Sequence, residues 1–280
     1  NDHVNKGQSS NDVIPTSIHL AAAGAIQDNL LPALNELEDS LRAKSEESWG
    51  VVKTGRTHLQ DATPIRLGQE FLGYTGQLEL AGARARTALA ELSVLALGGT
   101  AVGTGIGMHP EFSSRVIVRL RELTGLDLSE TTNHFQAQST LDAVVAASGQ
   151  LKSIAVGLLK IANDLRWLGS GPRAGIGEIT LPEVQPGSSI MPGKVNPVIA
   201  ESVAMVSAQV IGNDTTIAIA GQSGNFELNV MMPVAAHNLL ESIDLLSTSA
   251  VNFAHQCVNG LEATGKGLEM VMQGLAIGTV

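Results

Sequence analysis

Four apolar stripes at three- and four-residue spacing constrain this chain more than any other feature. Ile18, Ala22, Ile26, Leu30, Leu34, Leu37 and Leu41 form the first. Leu67, Phe71, Tyr74, Leu78, Ala81, Ala85, Leu89 and Leu92 form the second. Leu141, Val144, Ser148, Leu151, Ala155, Leu158, Ala162 and Leu165 form the third, and Leu239, Ile243, Leu246, Ala250, Phe253 and Cys257 the fourth. Each runs for roughly 20 to 30 residues, well beyond the ~11–12 of an average helix. Ala and Gly on the seams predict closely packed, nearly parallel helices. The segment Val198 to Ala220 is apolar on nearly every face, which predicts a helix enclosed by others. The expected architecture is therefore all-α, a bundle of about five long helices with one of them enclosed. A coiled-coil rod is disfavoured, because charged residues are only 16% of the chain and rods need charged flanking positions.

The same low charge predicts that much of the surface is covered, most simply by a partner subunit. The aromatic share is 3%, so Ala, Val, Leu and Ile supply the apolar mass. The 280 residues carry 17 Lys and Arg against 27 Asp and Glu, a net charge of −10. That balance lacks the basic footprint of a nucleic-acid binder. One cysteine, Cys257, excludes an intramolecular disulfide and a cysteine-based metal cluster. Segment 198–221 is interrupted by Glu201, Ser202, Ser207, Gln209, Asn213 and Asp214, so no membrane span is expected there. A single cysteine suits a reducing compartment, and no segment resembles a charged-then-apolar leader.

Glycines gather at 98–107, 169–177 and 187–193, between the stripes. Loops at helix ends are where chemistry tends to reside. The most informative is Pro186 to Pro197, P-G-S-S-I-M-P-G-K-V-N-P, which cannot be helical. Two serines, a lysine and an asparagine at fixed distances, beside the most apolar helix, are unlike a loop built only to turn the chain. A flexible surface loop is the alternative.

G-S-S-I-M-P-G-K-V-N-P resembles the signature G-S-x-x-M-x-x-K-x-N of the fumarase/aspartase superfamily. N-K-G-Q-S-S-N-D-V-I-P-T at 5–16 resembles its substrate-binding block, and T-G-R-T-H-L-Q-D-A-T-P at 54–64 its histidine block. G-G-T-A-V-G-T-G at 98–105 and G-N-F-E-L-N-V at 224–230 extend the match. Within the superfamily the chain is most similar to class II fumarases. His58, where aspartases more often carry Gln, and N-F-E-L-N-V favour that branch.

The resemblance implies reversible anti-hydration of fumarate to (S)-malate, without cofactor or metal, through an aci-carboxylate intermediate. Such chemistry needs a base for a weakly acidic C–H, stabilisation of a developing dianion, and an acid for the departing hydroxide. By resemblance Ser188 is the base, and Lys194, Asn196 and Ser189 hold a substrate carboxylate, by charge and by directed hydrogen bonds. Thr57 and His58 serve the hydroxyl side, where an imidazole near neutrality exchanges protons. Glu201 is the buried partner of that histidine, and a lone buried carboxylate needs a partner in any case. Ser9, Ser10 and Asn11 are further substrate ligands, although they would equally cap the following helix, with Pro15 in its first turn. Asn1, Asp2 and His3 resemble the end of a second, non-catalytic dicarboxylate site. The resemblance also implies a homotetramer whose active sites each draw on three subunits.

On the same grounds residues 1–266 are expected to form the central helical-bundle domain, with 1–6 the end of a preceding domain and 267–280 the start of a following one. Two other functions stay open: an aspartate ammonia-lyase on the same fold, and a non-catalytic structural helical assembly. Gly103, Gly105 and Gly107 imitate a dinucleotide fingerprint, but no strand is expected before them. Gly98 to Gly103 has phosphate-loop spacing without the following lysine. His19, His109, His134, His237 and His255 show neither H-E-x-x-H nor a cluster, so no metal site is expected.

Overall fold

The first helix starts where a capping oxygen allows it to. Ser9 is extended, and its Oγ accepts the Asn11 N–H at 3.2 Å; α1 then runs Ser10–Ala25. A π-helical turn, Ile26–Leu30, carries it into α2, Leu31–Glu47. A computed structural model describes the chain over residues 2–187, 190–191 and 193–277, the side chains of 275–277 excepted. Helix α3 spans Leu67–Leu92, α4 Phe112–Thr124, α5 His134–Ser139 and α6 Asp142–Leu168. Then follow α7, Val198–Gln222, and α8, Met232–Phe253, which continues through a π-helical turn at Ala254–Val258. The last helix, α9, is Lys266–Ile277.

Five long helical runs therefore dominate, as the stripes predict, and the fold is all-α in class. Within the stripes every position is buried except Leu89, which is half-buried. Each leucine withdrawn fully from water, such as Leu37, Leu41 or Leu151, stabilises the fold by roughly 1.5–3 kcal/mol before entropic costs. The π-helical turns insert a residue into otherwise regular periods, and the stripe of 18–41 runs through one of them without losing burial.

The strands are small. β1 (Val52–Thr57) and β2 (Gln60–Arg66) form an antiparallel hairpin. β3 (Val94–Leu95) pairs in parallel with β4 (Ser129–Glu130), and β5 (Ile179–Thr180) pairs antiparallel with β6 (Glu262–Ala263). The β3 strand corrects the expectation that none precedes the glycines at 103–107. It escapes a periodicity argument because it is two residues long and completed by backbone bonds from Ser129 and Thr131 to Ser93 and Leu95.

The chain divides into two compact units. Unit 1 comprises Asn1–Pro32, Ala83–Ala155 and Ala208–Ser247; unit 2 comprises Ala33–Gly82, Val156–Ser207 and Thr248–Val280. Ile26, Ala85, Ala147, Leu151, Ile217, Leu239 and Ile243 lie in the core of unit 1. In unit 2 the core holds Leu37, Leu41, Phe71, Leu158, Ile161, Leu165 and Phe253.

Three further expectations change. Helix α7 is not enclosed within the chain: Met205 and Ile219 are 67% and 50% exposed, while Ala200, Val203, Val210 and Ile217 are buried. One chain covers only one side of it. Second, α6 and α7 are both long and apolar enough to cross a bilayer by length and composition, with mean hydropathy 1.4 and 1.2, more than the interruptions in 198–221 implied. Both carry buried, bonded polar groups in unit 1, as core helices do: Ser148 donates to Asp214 at 2.8 Å, and Asn213 to Ser242 at 3.1 Å. Third, Pro15 is the sixth residue of α1 rather than part of its first turn, so the Asn11 carbonyl lacks the N–H donor an ordinary residue would supply.

Candidate functional site

The histidine block folds as the β1–β2 hairpin, in unit 2. Thr57 pairs with Gln60, leaving His58 and Leu59 as a two-residue turn. Their φ angles are 56° and 59°. Two successive left-handed residues are what a tight hairpin turn requires, but Asn and Gly are the usual occupants. A side chain with a Cβ adds about 1–2 kcal/mol of strain per position, the kind of strain that gathers at functional sites. Gly55 allows the hairpin to bulge between Thr54 and Arg56; a Cβ there would lie 2.7 Å from the Thr63 carbonyl oxygen. Thr57 and His58 are exposed.

Below the turn sits a cluster of four charges, Lys53 and Glu178 buried, Arg56 and Glu70 half-buried. The Lys53 ammonium lies 2.6 Å from Glu70 and 3.0 Å from Glu178, and Arg56 holds Glu178 through both terminal nitrogens, at 3.1 and 3.0 Å. Burial pushes the Glu70 carboxyl above its ordinary range, against the pull of Lys53. Met270 of α9 contacts Arg56 through sulfur at 3.3 Å.

The second feature of unit 2 is a cavity of about 640 Å³. Its walls are the end of α6 (Asn163, Arg166, Trp167), the loops 169–172 and 177–181, the segment Gly193–Pro197, Glu201 on α7, and Thr264 with Lys266. Three cations, Arg166, Lys194 and Lys266, face one carboxylate, Glu201, so the lining favours an anion despite the chain's net charge. Lys194 and Asn196 are exposed, on a segment tied by Lys194 N–H to the Met191 carbonyl at 3.1 Å and by Val198 N–H to the Asn196 carbonyl at 2.9 Å. Arg166 donates to Asn163 at 3.0 Å, and its Nε is buried without a partner.

Within one chain Glu201 is neither buried nor beside His58. Its side chain is 43% exposed, and its nearest opposite charge is Arg166, at 4.0 Å, not His58. Standing in the first turn of α7, it gains from the helix dipole and from solvent without a close partner. Thr57 and His58 do not line the cavity. Ser188 and Ser189 lie outside the described residues, as does Asn1; Asp2 is exposed.

Ser9, Ser10 and Asn11 belong to unit 1, and of the three only Ser9 acts as the cap. Ser9 caps α1, Ser10 Oγ is 3.4 Å from Asn11 Oδ1, and Asn11 donates to the Ala101 carbonyl at 2.7 Å. The residue that sequence reasoning missed is Asp12. It is fully buried, and one carboxylate oxygen accepts the N–H groups of Gly98 and Thr100, each at 3.0 Å. The glycine-rich turn that imitates a phosphate loop thus spends two amides on a side chain of the same unit. The acidic residue at the third position of a capped helix was the signal available.

A family profile described as Lyase matches residues 1–212, and the chain belongs to that family. Class II fumarate hydratase of Methylorubrum extorquens is 54% identical over 263 residues, 94% of this chain and 56% of that protein. Mitochondrial fumarate hydratase of Rhizopus oryzae is 52% identical over 272 residues, 97% of this chain and 55% of that protein. Among solved structures, class II fumarase of Schistosoma mansoni superposes with a TM-score of 0.94 at 41% identity, covering 96% of this chain and 60% of that one. The chain therefore spans little more than half the length of the curated relatives it matches.

Proposed function

We propose that this chain is the central domain, residues 1–266, of a fumarate hydratase that interconverts fumarate and (S)-malate, with 267–280 beginning the following domain. The observation that carries the reading is the cationic cavity bordered by Lys194, Asn196 and Glu201, the described part of the signature segment and its helix. Identity above 50% to fumarate hydratases over most of the chain supports the same substrate.

In this reading Ser188 removes a proton from C3 of malate. The electron pair moves into the adjacent carboxylate, and the resulting aci-carboxylate dianion is held by the Lys194 ammonium and the Asn196 amide, with Ser189 as a further donor. Collapse of the intermediate forms the double bond and expels hydroxide from C2, which takes a proton on the side of Thr57 and His58. Glu201 supports the imidazolium that supplies this proton, once a His58 is brought against it. Ser9, Ser10 and Asn11 bind the other carboxylate; Asn1 and Asp2 mark a second dicarboxylate site.

His58 and Ser9–Asn11 are not cavity-lining residues of their own chain. This supports a homotetramer in which one subunit supplies the signature loop, another the histidine turn and a third Ser9–Asn11. The uncovered side of α7, with Met205 and Ile219, is then the tetramer core. The location is the cytoplasm, or the mitochondrial matrix for a eukaryotic source.

The test follows absorbance of fumarate formed from malate and, separately, from aspartate, using the native polypeptide that carries this sequence. Turnover of malate is expected, and Ser188→Ala abolishes it while the tetramer persists. Turnover of aspartate alone would establish the ammonia-lyase; no turnover of either, with the assembly intact, would favour the structural role.

A further inference from the structure

Lys53, Arg56, Glu70 and Glu178 take no part in the chemistry above, yet they form a linked set of ion pairs in unit 2 around two buried charges. The side chains of Lys53 and Glu178 are only 2% and 1% exposed. Two cations and two anions leave the cluster neutral. Apolar residues of similar volume usually hold a fold as well as a buried ion pair does, so stability is a poor reason for such an arrangement. Geometric fixing is a better one, because a bidentate guanidinium–carboxylate pair sets direction as well as distance.

What needs fixing lies two residues from Arg56. His58 and Leu59 hold left-handed φ angles of 56° and 59°, which ordinary side chains relax from unless the flanks are pinned. On the other side, Glu178 is itself immobilised. Its N–H donates to the Leu168 carbonyl at 2.9 Å, and its carbonyl accepts the Thr264 N–H at 2.9 Å. Met270 of α9 closes on the guanidinium from a third direction.

We propose that Arg56 and Glu178 are positioning residues whose part-buried bidentate pair pins the strained Thr57–His58–Leu59 turn to the body of unit 2 and so sets where the imidazole is presented. The catalytic weight of this rests on the fumarate hydratase reading; the pinning itself does not.

The test pairs two variants. R56M/E178M removes one cation and one anion and leaves the Lys53–Glu70 pair intact. Arg56→Lys keeps the charge and loses the bidentate grip, and serves if the double variant fails to fold. NMR shifts and three-bond couplings of His58 and Leu59 report their φ angles. The left-handed signature is expected to weaken in either variant while the other hairpin pairs persist. In the native polypeptide kcat for malate should fall about 10–100-fold with KM held within about twofold, since misplacement of a proton-transfer group acts on the transition state. An unchanged turn signature with unchanged kcat in the folded variants overturns the proposal. Wild-type protein that never turns over malate refutes the fumarate hydratase reading, and the turn signature alone then decides whether the pair positions the turn.

Discussion

Replacing Lys53 by Met should make the stability of unit 2 steeply dependent on pH. Lys53 is the cation shared by Glu70 and Glu178, at 2.6 and 3.0 Å; its loss leaves Glu178 to Arg56 and takes from the half-buried Glu70 the cation it pairs with. Removing one partner of a buried pair costs about 3–5 kcal/mol. Protonation sets a ceiling, because Glu70 is the carboxyl that burial already pushes upward. Holding a carboxyl of ordinary pKa near 4.3 neutral at pH 7 costs about 4 kcal/mol, and at pH 5 only about 1 kcal/mol. The folded variant then keeps a proton that the unfolded chain has released, so stability declines as pH rises, by about 1.4 kcal/mol per unit. Urea unfolding of wild type and variant at pH 5, 6 and 7, followed by circular dichroism, reads this directly. The wild type should show a shallower slope of the same sign. A Lys53→Met cost below about 1 kcal/mol at pH 7, or one independent of pH, would refute the coupling of these charges.

Three further outcomes are expected. Asp12→Ala strands the amides of Gly98 and Thr100, each now bonded at 3.0 Å; the loss should be about 2–4 kcal/mol, with faster hydrogen exchange at those two amides. Leu59→Asn should stabilise the hairpin by a few tenths to about 1 kcal/mol in thermal unfolding, since Leu59 is 62% exposed and Asn tolerates a φ of 59°. His19, whose ring bonds the Val94 carbonyl at 2.8 Å, has its pKa lowered below 6.5 by burial; its contribution is full above that value and lost as pH falls further. His19→Gln should therefore flatten the fall in stability below pH 6.5.

The long helices were legible because burial at every third or fourth position leaves a periodic trace, and of the stripe positions only Leu89 is less than buried. The hairpin was not, because β2 is exposed along most of its length and carries no alternation to read. The β3–β4 pair is too short for any pattern. The signature loop was legible as chemistry through its Lys and Asn at fixed spacing, and both border the cavity. Arg166 and Lys266 were not, since their place on the wall comes from the ends of helices 100 residues apart in sequence. Glu201 shows the limit of inference from one helix: an apolar stretch does not bury its carboxylate when a single chain covers one side.

Hydration of fumarate in D2O, followed by proton NMR of the malate formed, tests the central claim most directly. Proton delivery to one face of C3 predicts malate with a single deuterium there, on one stereochemical face only. Malate carrying deuterium on both faces, or no malate from the native polypeptide, would contradict it.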